Sequence, residues 1–303
     1  MNLYAAVCYL CLDTVDDAGQ PLRRDCACRG TDAGFVHLSC LTKYLAPTSE
    51  RAHDMDLFRD PWRVCPSCRK EYQNELAVDI ANKFVLFVRG RYPDNTLRQV
   101  EALNMKLDAL MAMLDRLQPV QKREAGVTAN VLLSLIDRMK GERRWATMPV
   151  RYSQIEAYAY GVHGRIALEE ETEESSRRAV VHFEKALKVF EEIGFDEGIA
   201  IAKSFIATSK SMYKDDSSNE EDVLTTSRDL YELRTVEFGE DYEYTILAGN
   251  DYARDLLNAN QLTEAMELLS KLLITNKRVL GLHHKTTKEV ESTLKQVVSK
   301  LKL

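Results

Sequence analysis

Seven cysteines and one histidine lie within the first 68 residues of this 303-residue chain, in four closely spaced pairs. The pairs are Cys8 and Cys11, Cys26 and Cys28, His37 and Cys40, and Cys65 and Cys68, and no cysteine follows them. Two thiolate or imidazole ligands separated by one or two residues can bind the same ion, and four of them complete a tetrahedral zinc site. The eight ligands therefore predict two zinc ions.

A disulfide framework is the competing chemistry for a cysteine-rich segment. The odd number of cysteines, and a histidine in place of an eighth one, favour metal binding. Reduced thiols predict a cytoplasmic or nuclear protein. Residues 1–12 lack a signal-peptide pattern, and the longest apolar runs, such as residues 84–88, are too short to span a bilayer. We therefore expect a soluble protein without a membrane partner.

The charge distribution and the absence of enzyme motifs narrow the functional classes. The formal net charge is −6, and basic residues alternate with acidic ones, whereas nucleic-acid binding usually requires a basic stripe. We therefore expect no nucleic-acid partner. The sequence also lacks the phosphate-binding glycine loop, the nucleophile-elbow motif and the zinc-protease motif, so it predicts no catalytic residue of its own.

The order of four cysteines, one histidine and three cysteines is that of two known modules, the PHD finger and the RING-CH finger of MARCH-type ubiquitin ligases. A single residue separates Cys26 from Cys28, and eight residues separate Cys28 from His37, which resembles the RING-CH finger. A PHD finger usually has an aromatic residue two positions before its seventh ligand. That position is Arg63 here, and Trp62 lies one residue earlier.

The resemblance to RING-CH implies a small two-zinc cross-brace finger, in which ligand pairs alternate between the ions. One ion would then be bound by Cys8, Cys11, His37 and Cys40, and the other by Cys26, Cys28, Cys65 and Cys68. The implied partner is a ubiquitin-conjugating enzyme charged with ubiquitin, and the finger would act by positioning it. A ligase that forms its own ubiquitin thioester needs a free reactive cysteine, and the eight-ligand set leaves none.

The resemblance also implies a binding surface for the conjugating enzyme. Leu10 matches the aliphatic residue of the first zinc loop, Tyr44 lies where the family usually has tryptophan, and Pro66 matches the proline of the last loop. Arg69 matches the basic residue that contacts ubiquitin, with Lys70 as an alternative. Each residue also has a structural explanation, since Leu10 and Pro66 can shape the zinc loops, Tyr44 can be part of the core, and Arg69 can be a solvated charge.

Apolar spacing predicts the elements that position these residues. A short helix after His37 should bury Cys40, Leu41, Tyr44 and Leu45. The long segment before Cys65 predicts an irregular excursion over residues 47–58, with an exposed His53. Helices are predicted over residues 74–88, 97–117 and 120–139, the first of them packed on the finger.

A repeat of 42 residues marks the C-terminal half. The pattern Phe238-Gly239-x2-Tyr242-x2-Thr245 recurs as Leu280-Gly281-x2-His284-x2-Thr287. Small and large residues alternate at Ala253, Leu256, Ala265 and Leu269, as in tetratricopeptide repeats (TPRs), and the period resembles the kinesin light chain type. That resemblance implies a groove for protein or peptide substrates, with Asn250 at a position that contacts peptide backbone.

The predicted organisation is a RING-CH finger over residues 1–73, an all-α helical region over residues 74–148, and a TPR-like α-solenoid over residues 149–303. The favoured function is a ubiquitin ligase that recruits its substrate through the repeats. A non-catalytic zinc-finger and TPR interaction scaffold is the alternative, and a PHD-like reader of histone tails is a third hypothesis.

Overall fold

The computed structural model describes residues 6–24, 28, 34–114, 117–141, 150–211, 220–282 and 284–301. These residues form helices α1 (Leu38–Glu50), α2 (Met55–Arg63), α3 (Asn74–Arg91), α4 (Thr96–Met111), α5 (Pro119–Lys140), α6 (Arg151–Leu168), α7 (Glu173–Ile193), α8 (Asp196–Ser211), α9 (Glu220–Phe238), α10 (Glu243–Asn258), α11 (Leu262–Val279) and α12 (Lys285–Leu301). None of the described helices is both long and apolar enough to cross a membrane.

The chain divides into two compact units, Met1–Ile155 and Glu156–Leu303. The predicted boundary between residues 73 and 74 stays a prediction. The predicted boundary at residue 148 lies outside the described residues.

The finger consists of loops that short backbone bridges hold together, followed by helix α1. Single antiparallel bridges pair Arg23 with Val36 and Val64 with Glu71. Helix α1 confirms the helix predicted after His37, and it buries Leu41 and Leu45. Among the described residues before His37 the backbone is mostly irregular, so the ligands themselves must supply much of what holds these loops.

The predicted excursion over residues 47–58 is wrong, because helix α1 continues to Glu50 and helix α2 begins at Met55. Asp54 caps α2, since its carboxylate accepts a hydrogen bond of 2.7 Å from the Leu57 N–H. Phe58 and Trp62 lie one turn apart on α2 and are both fully buried. The capping aspartate and this apolar pair are the sequence features that indicate the helix.

Helix α3 packs against α1 and α2, as predicted, and shares an aromatic core with them. The Phe84 ring lies 5.1 Å from the Trp62 ring and 5.5 Å from the Phe58 ring, measured between centroids. The indole N–H of Trp62 donates a 2.6 Å hydrogen bond to the Ser49 hydroxyl. The buried indole N–H therefore has a hydrogen-bond partner. The aromatic contacts of Phe84 join α3 to the helices of the finger.

A buried carboxylate on α4 binds two arginines from distant parts of the sequence. Glu101 is only 1% exposed. Both of its oxygens accept hydrogen bonds of 2.8 Å from Arg151 on α6, and one accepts a 3.3 Å bond from Arg59 on α2. A carboxylate removed from water requires such partners, so the loss of both arginines would leave a costly buried charge.

In the second unit, each helix from α7 to α12 packs on the next one along the chain, and α10 also contacts α12. Glycine permits close helix packing at several places, two of which are Gly164 and Gly249. A Cβ atom at Gly164 would lie 2.6 Å from the Phe183 ring, and one at Gly249 would lie 2.8 Å from Leu272. A side chain at either glycine would therefore force neighbouring helices apart.

The 42-residue sequence repeat corresponds to a repeated turn. Thr245 donates a side-chain hydrogen bond of 3.2 Å to the carbonyl of Arg234, and Thr287 donates one of 3.4 Å to the carbonyl of Asn276. In both cases the acceptor lies eleven residues before the threonine. Gly239 and Gly281 take positive φ angles of 82° and 95° at equivalent places, a conformation that favours glycine. The same local structure therefore occurs twice.

Candidate functional site

The first candidate metal centre combines the first and third ligand pairs. The ligand atoms of Cys8, Cys11, His37 and Cys40 all lie within 4.8 Å of one another. Cys8 and Cys11 flank a tight turn, His37 is the residue that precedes helix α1, and Cys40 is in the first turn of that helix. The start of α1 therefore brings its two ligands to the turn.

The distances in this cluster suit a zinc ion. The Nδ1 atom of His37 lies 3.3 Å from the Cys11 sulfur and 3.7 Å from the Cys40 sulfur. Tetrahedral ligands at usual zinc–sulfur and zinc–nitrogen distances are about 3.5 Å apart. The buried Nε2 atom of His37 has no hydrogen-bond partner among the described residues. The imidazole thus directs Nδ1 towards the cluster.

The second candidate metal centre combines ligands of the second and fourth pairs. The sulfur atoms of Cys28, Cys65 and Cys68 lie within 4.8 Å of one another. The sulfurs of Cys28 and Cys65 are 3.8 Å apart, which equals the edge of about 3.8 Å expected for two thiolates on one zinc ion and excludes a disulfide. The predicted fourth ligand, Cys26, lies outside the described residues.

The two Cys-x2-Cys turns have the same backbone geometry. The Cys8 N–H donates to the carbonyl of Asp13 at 2.9 Å, and the Cys65 N–H donates to that of Lys70 at 2.9 Å. The residues after the second cysteines, Leu12 and Arg69, have positive φ angles of 68° and 58°. This shared geometry presents both sulfurs of each pair to one point, as a metal-binding turn requires.

The pairs alternate between the two clusters along the chain, which is the cross-brace order. Thiolate and imidazole donors are the ligands that zinc prefers, so these clusters can bind two zinc ions. Four protein ligands would leave zinc no open coordination position. The metal would therefore supply structural stability, while the residues around it would make the contacts with partners.

Burial raises the pKa of the Cys40 thiol to about 11. Burial also acts to raise the pKa of Cys8, but hydrogen bonds with the backbone of His37, Cys11 and Leu10 outweigh it and lower this pKa to about 7. The Leu10 N–H lies 3.4 Å from the Cys8 sulfur. Zinc binding must displace the remaining thiol protons, so it depends on pH.

This alternating set of ligands points to one family of fingers. Residues 8–72 match the RING-variant domain. The matched RING-variant domain contains the described ligands of both clusters together with α1 and α2, and it ends just before α3. A search of curated proteins gives no significant match to the chain.

Two of the predicted contacts with the conjugating enzyme share one groove beside the first cluster of the RING-variant domain. Leu10 and Tyr44 line this groove together with Cys11 and Cys40. The expectation that Tyr44 belongs to the buried face of α1 is wrong, because its side chain is 48% exposed. It lies three residues after the fully buried Leu41, at the edge of the buried face of α1, where its ring is accessible from solvent.

The other predicted contacts belong to the second zinc turn. Pro66 is half-buried within that turn, and Arg69 is exposed immediately after it. Neither residue lines the groove of Leu10 and Tyr44. The positive φ angle of Arg69 follows from the turn and determines the direction of its side chain.

Asn250 lies in the second unit, on helix α10, and is half-buried. Its amide oxygen and nitrogen are both shielded from solvent, and neither makes a hydrogen bond within the described part of the chain. A buried amide without partners is unusual, because each unpaired polar group costs free energy. The described residues therefore leave the hydrogen-bonding capacity of this amide unused, in a place that is shielded from solvent.

Sequence reasoning missed the role of Asp16 in shaping the groove. Its carboxylate accepts hydrogen bonds from the Ser39 hydroxyl at 2.6 Å and from the Gln20 N–H at 2.7 Å. These bonds lower the pKa of Asp16, and the hydrogen bond from Ser39 contributes most to the shift. The Asp-Asp-Ala-Gly-Gln segment indicates such a turn, since aspartate side chains often bind backbone N–H groups two residues further on.

Proposed function

We propose that this protein is a RING-type ubiquitin ligase that binds a charged ubiquitin-conjugating enzyme through its finger. The observation that supports the proposal best is the alternating pair of Cys/His clusters within a RING-variant domain. Such domains typically bind conjugating enzymes. Because the predicted ligand set includes all seven cysteines, no thiol remains to form a ubiquitin thioester on this chain.

The proposed mechanism is positioning. Leu10 and Tyr44 offer an apolar surface to the conjugating enzyme, and Pro66 extends that surface from the second zinc turn. Arg69 contacts ubiquitin and restricts its orientation on the conjugating enzyme. A substrate lysine then attacks a thioester that is held in a reactive geometry, which lowers the entropic part of the barrier.

The exposure of Tyr44 supports this role. A large aromatic side chain that is half exposed beside an apolar neighbour is typical of residues that contribute strongly to protein interfaces. If the ring had been buried, α1 would offer no such contact. The tyrosine hydroxyl differs from the indole usual in the family, so the partner surface must accept a polar atom there.

For the second unit, we propose a TPR-like array that recruits a protein or peptide substrate. The repeated threonine turn and the contact between α10 and α12 are what a stack of helix pairs would show. Asn250 supports a peptide site, because its amide has no partner among the described residues and would pair with the backbone of an extended peptide once the side chain turns outward.

One observation favours the alternative, a scaffold without ligase activity. The family usually has tryptophan at the position of Tyr44, and this difference would weaken the binding of the conjugating enzyme. The histone-reader hypothesis loses support instead, because Trp62 is fully buried against Phe84 and cannot form part of an aromatic cage.

Ubiquitin discharge from a panel of charged conjugating enzymes tests the proposal. Zinc-loaded protein should accelerate discharge onto free lysine, and Leu10→Ala or Arg69→Ala should reduce the rate about tenfold or more while two zinc ions per chain remain bound. Matched controls are Leu57→Ala and Arg51→Ala, which alter exposed residues outside the groove. No acceleration with any conjugating enzyme would favour the scaffold.

A further inference from the structure

The groove beside the first cluster combines apolar and acidic residues. Leu10 and Tyr44 provide its apolar part. Its other lining residues include three carboxylates and one lysine, namely Asp13, Asp16, Asp17 and Lys43. Acidic side chains thus outnumber basic ones around a surface that is open to solvent.

The negative charge of this groove is held in place by the fold. Asp16 is bound by the Ser39 hydroxyl and by the N–H groups of Ala18 and Gln20, so its carboxylate stays ionised and fixed. Asp17 is almost fully exposed, and its 3.4 Å ion pair with Lys43 is open to solvent, where such pairs are weak.

Zinc adds to this charge. Cys11 and Cys40 line the groove directly. When zinc is bound, three thiolates and a neutral imidazole leave the first cluster with one net negative charge. The lysine therefore offsets only part of the negative potential around Leu10 and Tyr44.

We propose that this groove selects ubiquitin-conjugating enzymes whose docking face is basic. The inference rests on the proposed ligase function and specifies its partner. Lysine or arginine residues beside the apolar contact would be attracted by Asp13 and Asp17, which speeds association. A conjugating enzyme with an acidic docking face would be rejected by repulsion between like charges.

Charge reversal at the two freely exposed aspartates tests this selection. Asp13→Lys with Asp17→Lys should lower the rate of ubiquitin discharge from basic-faced conjugating enzymes about tenfold at low salt, and the difference should shrink at high salt. Asp16 is left unchanged because it shapes the loop. The matched control, Asp94→Lys with Asp137→Lys, makes the same charge change at exposed sites outside the groove and should leave the rate within about twofold.

A second arm uses a conjugating enzyme whose docking-face lysines and arginines are replaced by glutamate. The unaltered chain should not accelerate ubiquitin discharge from this enzyme, whereas the variant with Asp13→Lys and Asp17→Lys should restore the acceleration. Equal rates for the unaltered and reversed chains with every conjugating enzyme, at two zinc ions per chain, would overturn the inference and leave the ligase function intact. No discharge by the unaltered chain with any conjugating enzyme would instead overturn the proposed function, and the inference with it.

Discussion

The finger and the second unit differ in the interactions that stabilise each of them. Within residues 6–37, the described backbone is irregular and the ligand clusters join segments that are distant in sequence. In the second unit, helices α7 to α12 pack through many apolar contacts, such as that between the rings of Phe183 and Phe205, whose centroids are 4.8 Å apart. A few strong bonds thus stabilise one region, and many weak contacts stabilise the other.

Removal of a metal ligand should produce the largest difference between the two regions. We expect His37→Ala to abolish zinc binding at the first cluster and unfold the surrounding loops, because a structural zinc ion contributes on the order of 10 kcal/mol. The helical content of the second unit should be unchanged. Zinc analysis and circular dichroism would measure both effects. The control is His53→Ala, an exposed histidine that should retain both ions.

Acid should reproduce the same selective loss. Because Cys40, with a pKa of about 11, must lose its proton to bind zinc, affinity falls steadily as the pH decreases through neutrality. The thiol of Cys8 adds to this loss below its pKa of about 7. A colorimetric chelator should detect faster zinc release as the pH falls from about 8 to about 5. Zinc release that is independent of pH would argue against thiolate ligation.

Truncation of a packed aromatic side chain should affect only the second unit. Phe183 is 1% exposed, and we expect Phe183→Ala to lower the free energy of unfolding by about 3–5 kcal/mol, because it removes the partner of Gly164 and Phe205 and leaves a cavity. Chemical denaturation would measure the change. Val181→Ala on the same helix removes an exposed side chain and should cost much less. Zinc loss in Phe183→Ala would contradict the separation of the two regions.

The buried carboxylate of the first unit should have a slightly smaller effect. Glu101→Gln keeps the shape of the side chain but removes the charge that pairs with Arg151 and Arg59, although Arg59 keeps its 3.0 Å ion pair with Asp56, so we expect a loss of about 3 kcal/mol. Denaturation of the variant would measure it, with the exposed Asp94→Asn as the control for loss of one charge. If the free energy of unfolding falls less in Glu101→Gln than in the control, water must solvate the two arginines in place of the carboxylate.

The smallest expected effect tests the repeated turn. Thr287→Val removes the hydrogen bonds to the carbonyls of Asn276 and Gly281 and should cost about 1 kcal/mol. Thr245→Val should have a similar effect if the two turns are equivalent. Thr293→Val is the control, because its hydroxyl only bonds within its own helix. Unequal losses at the two turns would show that the repeats differ energetically.

Sequence reasoning succeeded where the determining interactions are local. The helices near residues 74–88 and 120–139 follow from apolar spacing, and they appear as α3 and α5. Helix α2 was missed because it is short and contains Pro61, so its pattern resembles a loop. The exposure of Tyr44 was missed for another reason. Tyr44 follows the apolar spacing of α1 but lies at the edge of its buried face, and only the packing of α1 against α2 and α3 decides how far that face extends.

The candidate site likewise combines features that the sequence predicts with features that depend on the tertiary structure. By itself the sequence determined the number and type of the ligands, because cysteine and histidine chemistry at close spacing requires no knowledge of the fold. Only the tertiary structure decided which pairs share an ion. Cys11 meets His37 across 26 residues, and Cys28 meets Cys65 across 37 residues. Contacts over such separations depend on how the loops and α1 pack, and the apolar side chains that direct this packing lie outside the ligand motif.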